Sequence, residues 1–268
     1  MESLKIFGGT GFIGSHFHAL YPETHVVPRE NKEFQAGDAL YLISTTNNYN
    51  VFNDPTLDVR VNLVRLMGDL PRIGGTFNYV STINCVGDRG MHDIREDTVC
   101  NPRGFYPITK LCAEQLTKSY CSTFNHNYRI LRLSNVIGKN PSTSSKNNAL
   151  EFLLAKIKRG EDISVYEGDN YRNYLDIEDC CRAIKLVLEK GNLNDTYNIG
   201  SIQSHRIYDI VHYAIWKTKS SSKIKIVPVP DFHKKVQAPN FFMNTDKLQA
   251  LGFVQKYNLE ETINRALA

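Results

Sequence analysis

Short apolar runs alternate with longer stretches of helical periodicity over most of the chain. Residues 4–7 read as a strand; beyond a glycine cluster, apolar positions recur at helical spacing to about residue 20. Residues 25–27 predict a second strand and 39–44 a third apolar run, while Leu57, Val61 and Val64 mark a helix over 56–70. A strand at 77–81 precedes an amphipathic helix at 106–124, and a strand at 129–133 leads into Asn135-Val136-Ile137-Gly138. A strand at 174–177, a helix at 179–190 and a short strand at 197–199 close the series. Such alternation predicts an α/β fold, a doubly wound parallel sheet covered by helices on both faces. Residues 139–148, rich in Ser, Asn and Lys, read as a loop leaving that sheet. The tail mixes a helix (207–217), a polar turn (217–223), an extended Pro-containing run (224–230) and a last helix (259–266). The expected division is a sheet domain over 1–138 with 173–199 returning to it, and a smaller C-terminal substrate-binding lobe from 139–172 and 200–268. No internal repeat is visible.

Composition narrows the function classes. A length of 268 residues suits one large or two interlocked domains, and 41% hydrophobic residues supply a core. A net charge of +4 makes no polyelectrolyte, so no nucleic-acid partner is expected. No apolar run approaches the ~18 residues of a membrane span. Residues 1–7 lead straight into glycines, which argues against a signal peptide. The six cysteines form no CxxC pair and read as reduced thiols of a cytoplasmic protein. The histidines form no HExxH, and His16 and His18 stand two apart on a helix, so no metal site is expected.

Gly8-Gly9-Thr10-Gly11-Phe12-Ile13-Gly14 follows the first strand and opens a helix. A sharp turn, a close approach of backbone to pyrophosphate and free helix amides at the anion each demand a residue without Cβ. In that position the loop reads as a dinucleotide site, and the sheet as Rossmann-type. An acidic residue at the end of the second strand ordinarily takes the ribose hydroxyls of NAD. Here Val27 is followed by Pro28-Arg29-Glu30, and the Arg29 guanidinium suits the 2′-phosphate of NADP. NADP is therefore the expected cofactor; the alternative is NAD with Glu30 on the ribose.

Tyr106 and Lys110 stand four apart on one helix face. A nearby ammonium favours phenolate, and such a tyrosine exchanges a proton with a carbinol while hydride moves to or from nicotinamide. The spacing alone is cheap, since Tyr213 and Lys217 repeat it. Context separates them: Tyr79-Val80-Ser81-Thr82 ends a strand upstream of Tyr106 and offers a hydroxyl to the same substrate oxygen.

With these motifs in order, the chain resembles the extended short-chain dehydrogenases/reductases of the nucleotide-sugar epimerase/dehydratase type over nearly its whole length. The resemblance implies that Gly8, Gly11, Phe12, Ile13 and Gly14 hold the cofactor, with Arg29, Ser44 and Thr45 beside it. It implies Thr82, Tyr106 and Lys110 as the catalytic set, Lys110 also touching the nicotinamide ribose. Asp54-Pro55 and Asn62 match the family's helix after the fourth strand. Asn135 in Arg132-Leu-Ser-Asn135-Val-Ile-Gly138 and Arg172 in the 172–179 segment match groups on the substrate pyrophosphate, and Lys234 or Lys235 stands near a further phosphate-binding cation. Tyr197-Asn198-Ile199-Gly200 resembles the strand closing the nucleotide pocket. Departures are Ser44-Thr45 for Ala-Ala, Asn173 for an acidic residue, and a 30–38 segment too short for the usual strand and helix.

The residues after Thr82 discriminate among chemistries. A 4,6-dehydratase of this family carries Asp-Glu there, but Ile83-Asn84 offers neither acid nor base, and Asn84 is left as a substrate contact. A 3,5-epimerase/4-reductase needs a cysteine at position 84; Cys85 comes one residue late, which on an extended strand reverses its face. The remaining expectations are a 4-ketoreductase consuming NADPH, favoured by Arg29, or a 4-epimerase with bound NAD. The substrate is then a nucleotide sugar, and the oligomer a homodimer. A non-catalytic dinucleotide-binding sensor is the alternative of another class; retention of both Tyr106 and Lys110 argues against it.

Overall fold

The computed structural model describes residues 4–46, 48–87, 93–139, 149–237 and 240–268, so most of the loop expected over 139–148 lies outside the described residues. β1 (Lys5–Phe7) runs through the glycine turn into α1 (Phe12–Leu20), and β2 (His25–Val27) returns beside it. After β3 (Ala39–Tyr41) come α2 (Asn50–Asn53), α3 (Leu57–Val59), a π-helical turn (Arg60–Val64) and α4 (Arg65–Asp69). β4 (Phe77–Thr82), α5 (Phe105–Thr123), β5 (Tyr128–Leu133) and β6 (Asn135–Ile137) follow. Next are α6 (Ala149–Lys158), β7 (Ile163–Tyr166), β8 (Tyr171–Asp176), α7 (Ile177–Lys190) and β9 (Asp195–Ile199). The chain ends through β10 (Ser204–Arg206), α8 (Ile207–Thr218), β11 (Ile224–Val227), α9 (Asp231–Val236), α10 (Asp246–Ala250) and α11 (Leu259–Leu267).

The main sheet is parallel throughout, in the order β2-β1-β3-β4-β5-β9. Its strands are short and buried, and side-chain alternation sorts them into two cores. Ile6, Leu40, Leu131 and Ile199 face the layer of α1 and α7, packing with Phe17, Ile184 and Val187. Phe7, Tyr41, Tyr79 and Ile130 face the opposite layer, with Leu66, Leu70 and Ala113. β2 is the sheet edge, because residues 28–38 make turns and the chain re-enters directly as β3.

Beside this sheet stand an antiparallel-and-parallel trio, β10-β8-β6, and a parallel pair, β11-β7. α6, α8 and α11 close a third core over them, with Leu154, Ile157, Val211 and Ile263. Two details differ from the expected domain division. β6 already belongs to the smaller sheet, and α10 with Phe253 packs back on the main core through Leu248. The Lys247 ammonium fixes that return by donating to Asp195 at 2.7 Å and to the Thr196 carbonyl at 2.9 Å. The helix expected over 56–70 also differs, being interrupted by the π turn.

Candidate active site

The ends of β1, β3, β4 and β5, the first turn of α1 and the first turns of α5 carry the residues that the sequence motifs point to. Just after β1, Gly8 has φ +85°, and a Cβ there would meet the Ile43 amide at 3.1 Å. A Cβ on Gly14 would lie 2.5 Å from the Gly8 carbonyl oxygen, so β1 and α1 approach as closely as they do only with glycine present. Gly11 is the N-cap of α1 and supplies no side chain to its amides. The uncapped helix end and bare backbone fit a pyrophosphate. Phe12 and Ile13, both half-buried, lean on the core that fixes this turn.

Arg29 lies two residues past β2 and is exposed, as is Glu30. The Arg29 carbonyl accepts from Arg65 at 3.1 Å, which ties the segment after β2 to α4. Asn62 is buried on the π turn and organises three elements. Its Oδ1 accepts from the Thr45 amide at 2.9 Å and the Ser44 hydroxyl at 3.1 Å, and its Nδ2 donates to Thr45 Oγ1 at 2.8 Å and Thr109 Oγ1 at 2.9 Å. Thr109 precedes Lys110, so a single amide joins the loop after β3 to the catalytic-type turn of α5. The register change of a π turn, common at functional sites, accompanies this inward placement.

Thr82, Tyr106 and Lys110 come together as the spacing predicts. Thr82 ends β4, is buried, accepts from the Asn84 amide at 3.3 Å and stands beside the Tyr106 phenol. Burial raises the phenol well above its ordinary value; the Cys85 thiol adds to the rise, Thr82 opposes it, and the Asp58 carboxylate adds further. The expectation that Lys110 would pull Tyr106 down is corrected here. Its ammonium turns to the sheet, donating to the Val80 carbonyl at 2.6 Å and lying 4.2 Å from the centre of the Tyr79 ring. Burial lowers Lys110 to about 8 against the raising fields of Cys85 and Glu114.

Cys85 does not lie on the strand that its expected face assumed. The strand ends at Thr82, and residues Ile83–Val86 form a 3₁₀ turn, so alternation does not extend to position 85. Cys85 is buried, donates weakly to the Pro107 carbonyl at 3.6 Å, and burial pushes its thiol up to about 12. A neutral thiol under α5 is no nucleophile. Asn84 on the same turn is half-buried.

Beneath this set lies a charged pair that sequence reading left without a role. Glu114, one turn after Lys110 on the buried face of α5, accepts from Arg132 at 2.8 and 3.1 Å and from Ser81 at 2.5 Å. Both charged groups are almost wholly buried, at 0% and 4% side-chain exposure. The signal was available: Tyr106, Lys110 and Glu114 repeat every fourth residue, and a third polar residue in that row needs a buried partner.

The proposed substrate contacts fall in two groups. Asn135 on β6 and Arg172 on β8 share the small sheet, where Asn135 pairs with Tyr174 and its Nδ2 donates to the Asn173 carbonyl at 3.1 Å. The Arg172 guanidinium donates to the Tyr171 carbonyl at 2.8 Å and lies 5.7 Å from the Phe241 ring centre. Lys234 and Lys235 sit exposed on α9, Lys234 3.4 Å from Asp231. That short helix reaches the main domain through Phe232, which packs on Tyr49 and Phe52, and through the contact of His233 with Tyr49.

Comparison with known proteins bears on the family and the fold. The model of the NAD dependent epimerase/dehydratase family matches residues 32–200. An Arabidopsis thaliana trifunctional UDP-glucose 4,6-dehydratase/UDP-4-keto-6-deoxy-D-glucose 3,5-epimerase/UDP-4-keto-L-rhamnose-reductase is 28% identical over 71% of this chain. The match covers 29% of that larger protein's length. GDP-6-deoxy-D-mannose reductase from Pseudomonas aeruginosa is 25% identical over 78% of both chains. Among solved structures, RMD from Pseudomonas aeruginosa complexed with NADPH superposes with a TM-score of 0.84 at 20% identity, over 98% of this chain and 97% of that one. UDP-glucose 4-epimerase from Thermotoga maritima with UDP-glucose gives 0.84 at 19%, with the same coverage. By its sequence match, and on a fold of the same architecture, this chain belongs to the NAD dependent epimerase/dehydratase family.

Proposed function

We propose that the chain is a nucleotide-sugar 4-ketoreductase that uses NADPH. The observation that carries the reading is the placement of Tyr106 in the first turn of α5, beside Thr82 at the end of β4 and one turn from Lys110. A phenol at that place can give its proton to a carbonyl oxygen as the carbinol forms, the direction that ketone reduction requires. The cofactor supplies the hydride when bound. Gly8, Gly11, Phe12, Ile13 and Gly14 hold its pyrophosphate end, with Ser44 and Thr45 along it, and Lys110 donates to its ribose. Thr82 and Tyr106 hydrogen-bond the carbonyl oxygen, and Tyr106 passes its proton there as the carbinol forms. Asn135 and Arg172 take the substrate pyrophosphate, Asn84 borders the sugar, and Lys234 and Lys235 add positive charge on α9. Arg29, exposed where no acid ends β2, is assigned to the 2′-phosphate. The likeness to a reductase over 78% of both chains supports this choice.

A second reading, a 4-epimerase keeping NAD, is favoured by Glu30 beside Arg29 and by the equal structural likeness to an epimerase. One experiment separates them. The protein is mixed with NADPH or NADH and a panel of 4-keto nucleotide sugars, and absorbance at the reduced-cofactor band is followed. The reductase consumes NADPH in step with substrate, and Arg29→Ala removes a preference of about 10- to 100-fold over NADH. Tyr106→Phe lowers turnover by roughly 100-fold or more and leaves cofactor binding intact. Retained NAD with interconversion of 4-epimers and no net cofactor change overturns the reductase reading. We also assign the protein to the cytoplasm, on its six free cysteines; no helix among the described residues is long and apolar enough to cross a membrane.

A further inference from the structure

A lysine that is 2% exposed needs something to hold its charge. Among the described residues no carboxylate pairs with Lys110, because Glu114, the nearest acid on its own helix, is taken by Arg132 and Ser81. The ammonium has one carbonyl, that of Val80 at 2.6 Å, and the face of Tyr79, with Nζ 4.2 Å from the ring centre. Tyr79 is itself 1% exposed, and its hydroxyl is buried with no hydrogen-bond partner. Its ring is held in a row with Phe77 (6.4 Å, 12° between planes) and Tyr41 (6.2 Å, 28°), so it cannot swing away. A buried tyrosine usually finds its hydroxyl a partner, whereas here the ring face alone has a task.

We propose that Tyr79 is the positioning residue for Lys110: the electron-rich face of its buried ring seats the ammonium at the end of β4, and its hydroxyl takes no part. The proposal rests on the reading of Lys110 as the cofactor-holding cation and adds what keeps it charged. Burial already lowers this lysine to about 8. The other groups acting on it are Glu114 on α5 and Cys85 on the turn after β4, with Arg132 of β5 behind Glu114. Of these, Glu114 and Cys85 favour the charged form, as the ring face does; Tyr79 is the one whose contribution is set by π-electron density.

The test grades that density without changing shape. Phenylalanine, 4-fluorophenylalanine and 3,4,5-trifluorophenylalanine are placed at position 79, with Tyr79→Leu as a ring-free variant. The titration of Lys110 is read from its 13Cε shift in cofactor-free, 13C-lysine-labelled protein, assigned by the resonance absent from Lys110→Met. NADPH affinity against pH is measured alongside. Tyr79→Phe is expected to keep the wild-type titration and affinity. Progressive fluorination is expected to move the titration down stepwise, reaching about one pH unit, a tenfold change in proton affinity, for the trifluoro ring. The alkaline loss of NADPH affinity should move with it. An unchanged titration through the fluorinated series, or a Tyr79→Phe protein as impaired as the trifluoro one, overturns the proposal. If Tyr79→Leu does not fold, the isosteric series still decides. A wild type whose Lys110 titration behaves as stated but that binds no NADPH would refute the functional reading and leave the seat standing.

Discussion

Replacing Lys110 with methionine should abolish turnover and make the protein more stable. The side chain is nearly fully buried, and its proton affinity falls from an ordinary 10.5 to about 8. At 1.36 kcal/mol per unit, holding the charged form in the folded state costs about 3 kcal/mol. Methionine has similar length and no charge, but the Val80 carbonyl loses a donor, which returns roughly 1 kcal/mol of that gain. The expected net is about 2 kcal/mol at pH 7, roughly 4–8 °C in Tm for a chain of this size. The pH dependence carries the sharper signature. Between pH 8 and 10.5 the unfolded chain keeps the lysine proton and the folded chain does not, so the wild type gains stability as pH rises through that window. The advantage of Lys110→Met is therefore full below pH 8 and gone by about pH 10.5. Buried thiols such as Cys121, raised to about 11, bend both curves the other way, so the difference between the proteins is the quantity to read. Urea unfolding of both proteins at half-unit intervals from pH 7 to 10.5 provides it. A wild type more stable than the variant at pH 7, or a gap that stays constant with pH, would refute the argument.

Glu114→Ala should strand the Arg132 guanidinium in the interior and cost about 3–5 kcal/mol in urea unfolding, with Glu114→Gln intermediate. Asn62→Ala leaves the Thr45 amide and hydroxyl and the Thr109 hydroxyl without that partner, a loss of roughly 2–4 kcal/mol by thermal or urea unfolding; equal stability would mean that the three groups find other partners. A homodimer is expected through α3, the π turn, α4 and α5, whose Val59, Val64, Met67, Phe105 and Ile108 are exposed apolar side chains. Light scattering at micromolar concentration should give twice the 30.5 kDa chain mass, and a clean monomer counts against that face.

What the sequence determined alone was whatever depends on local pattern. Alternation of apolar runs with helical periodicity is enough for a parallel α/β sheet, because each strand must be apolar on both faces and each helix on one. Gly8 and Gly14 declare their turn because a Cβ at either would crowd the backbone beside it, and Tyr106 with Lys110 share a face by helix geometry alone. Where side chains point once packed is a different matter. Spacing places Lys110 near Tyr106, but the sheet beneath supplies a carbonyl and a ring that draw the ammonium away from the phenol. Alternation carried Cys85 onto a strand that ends three residues earlier, where Thr82 caps a 3₁₀ turn through the Asn84 amide and Cys85 meets the Pro107 carbonyl of α5. Asn62 and the Glu114–Arg132 pair are ordinary polar letters in sequence; burial turns each into a junction, because a desolvated amide or ion must find partners from other elements. The return of α10 to the main core was equally invisible, decided by Leu248 and Lys247 meeting strand β9 across fifty residues of chain.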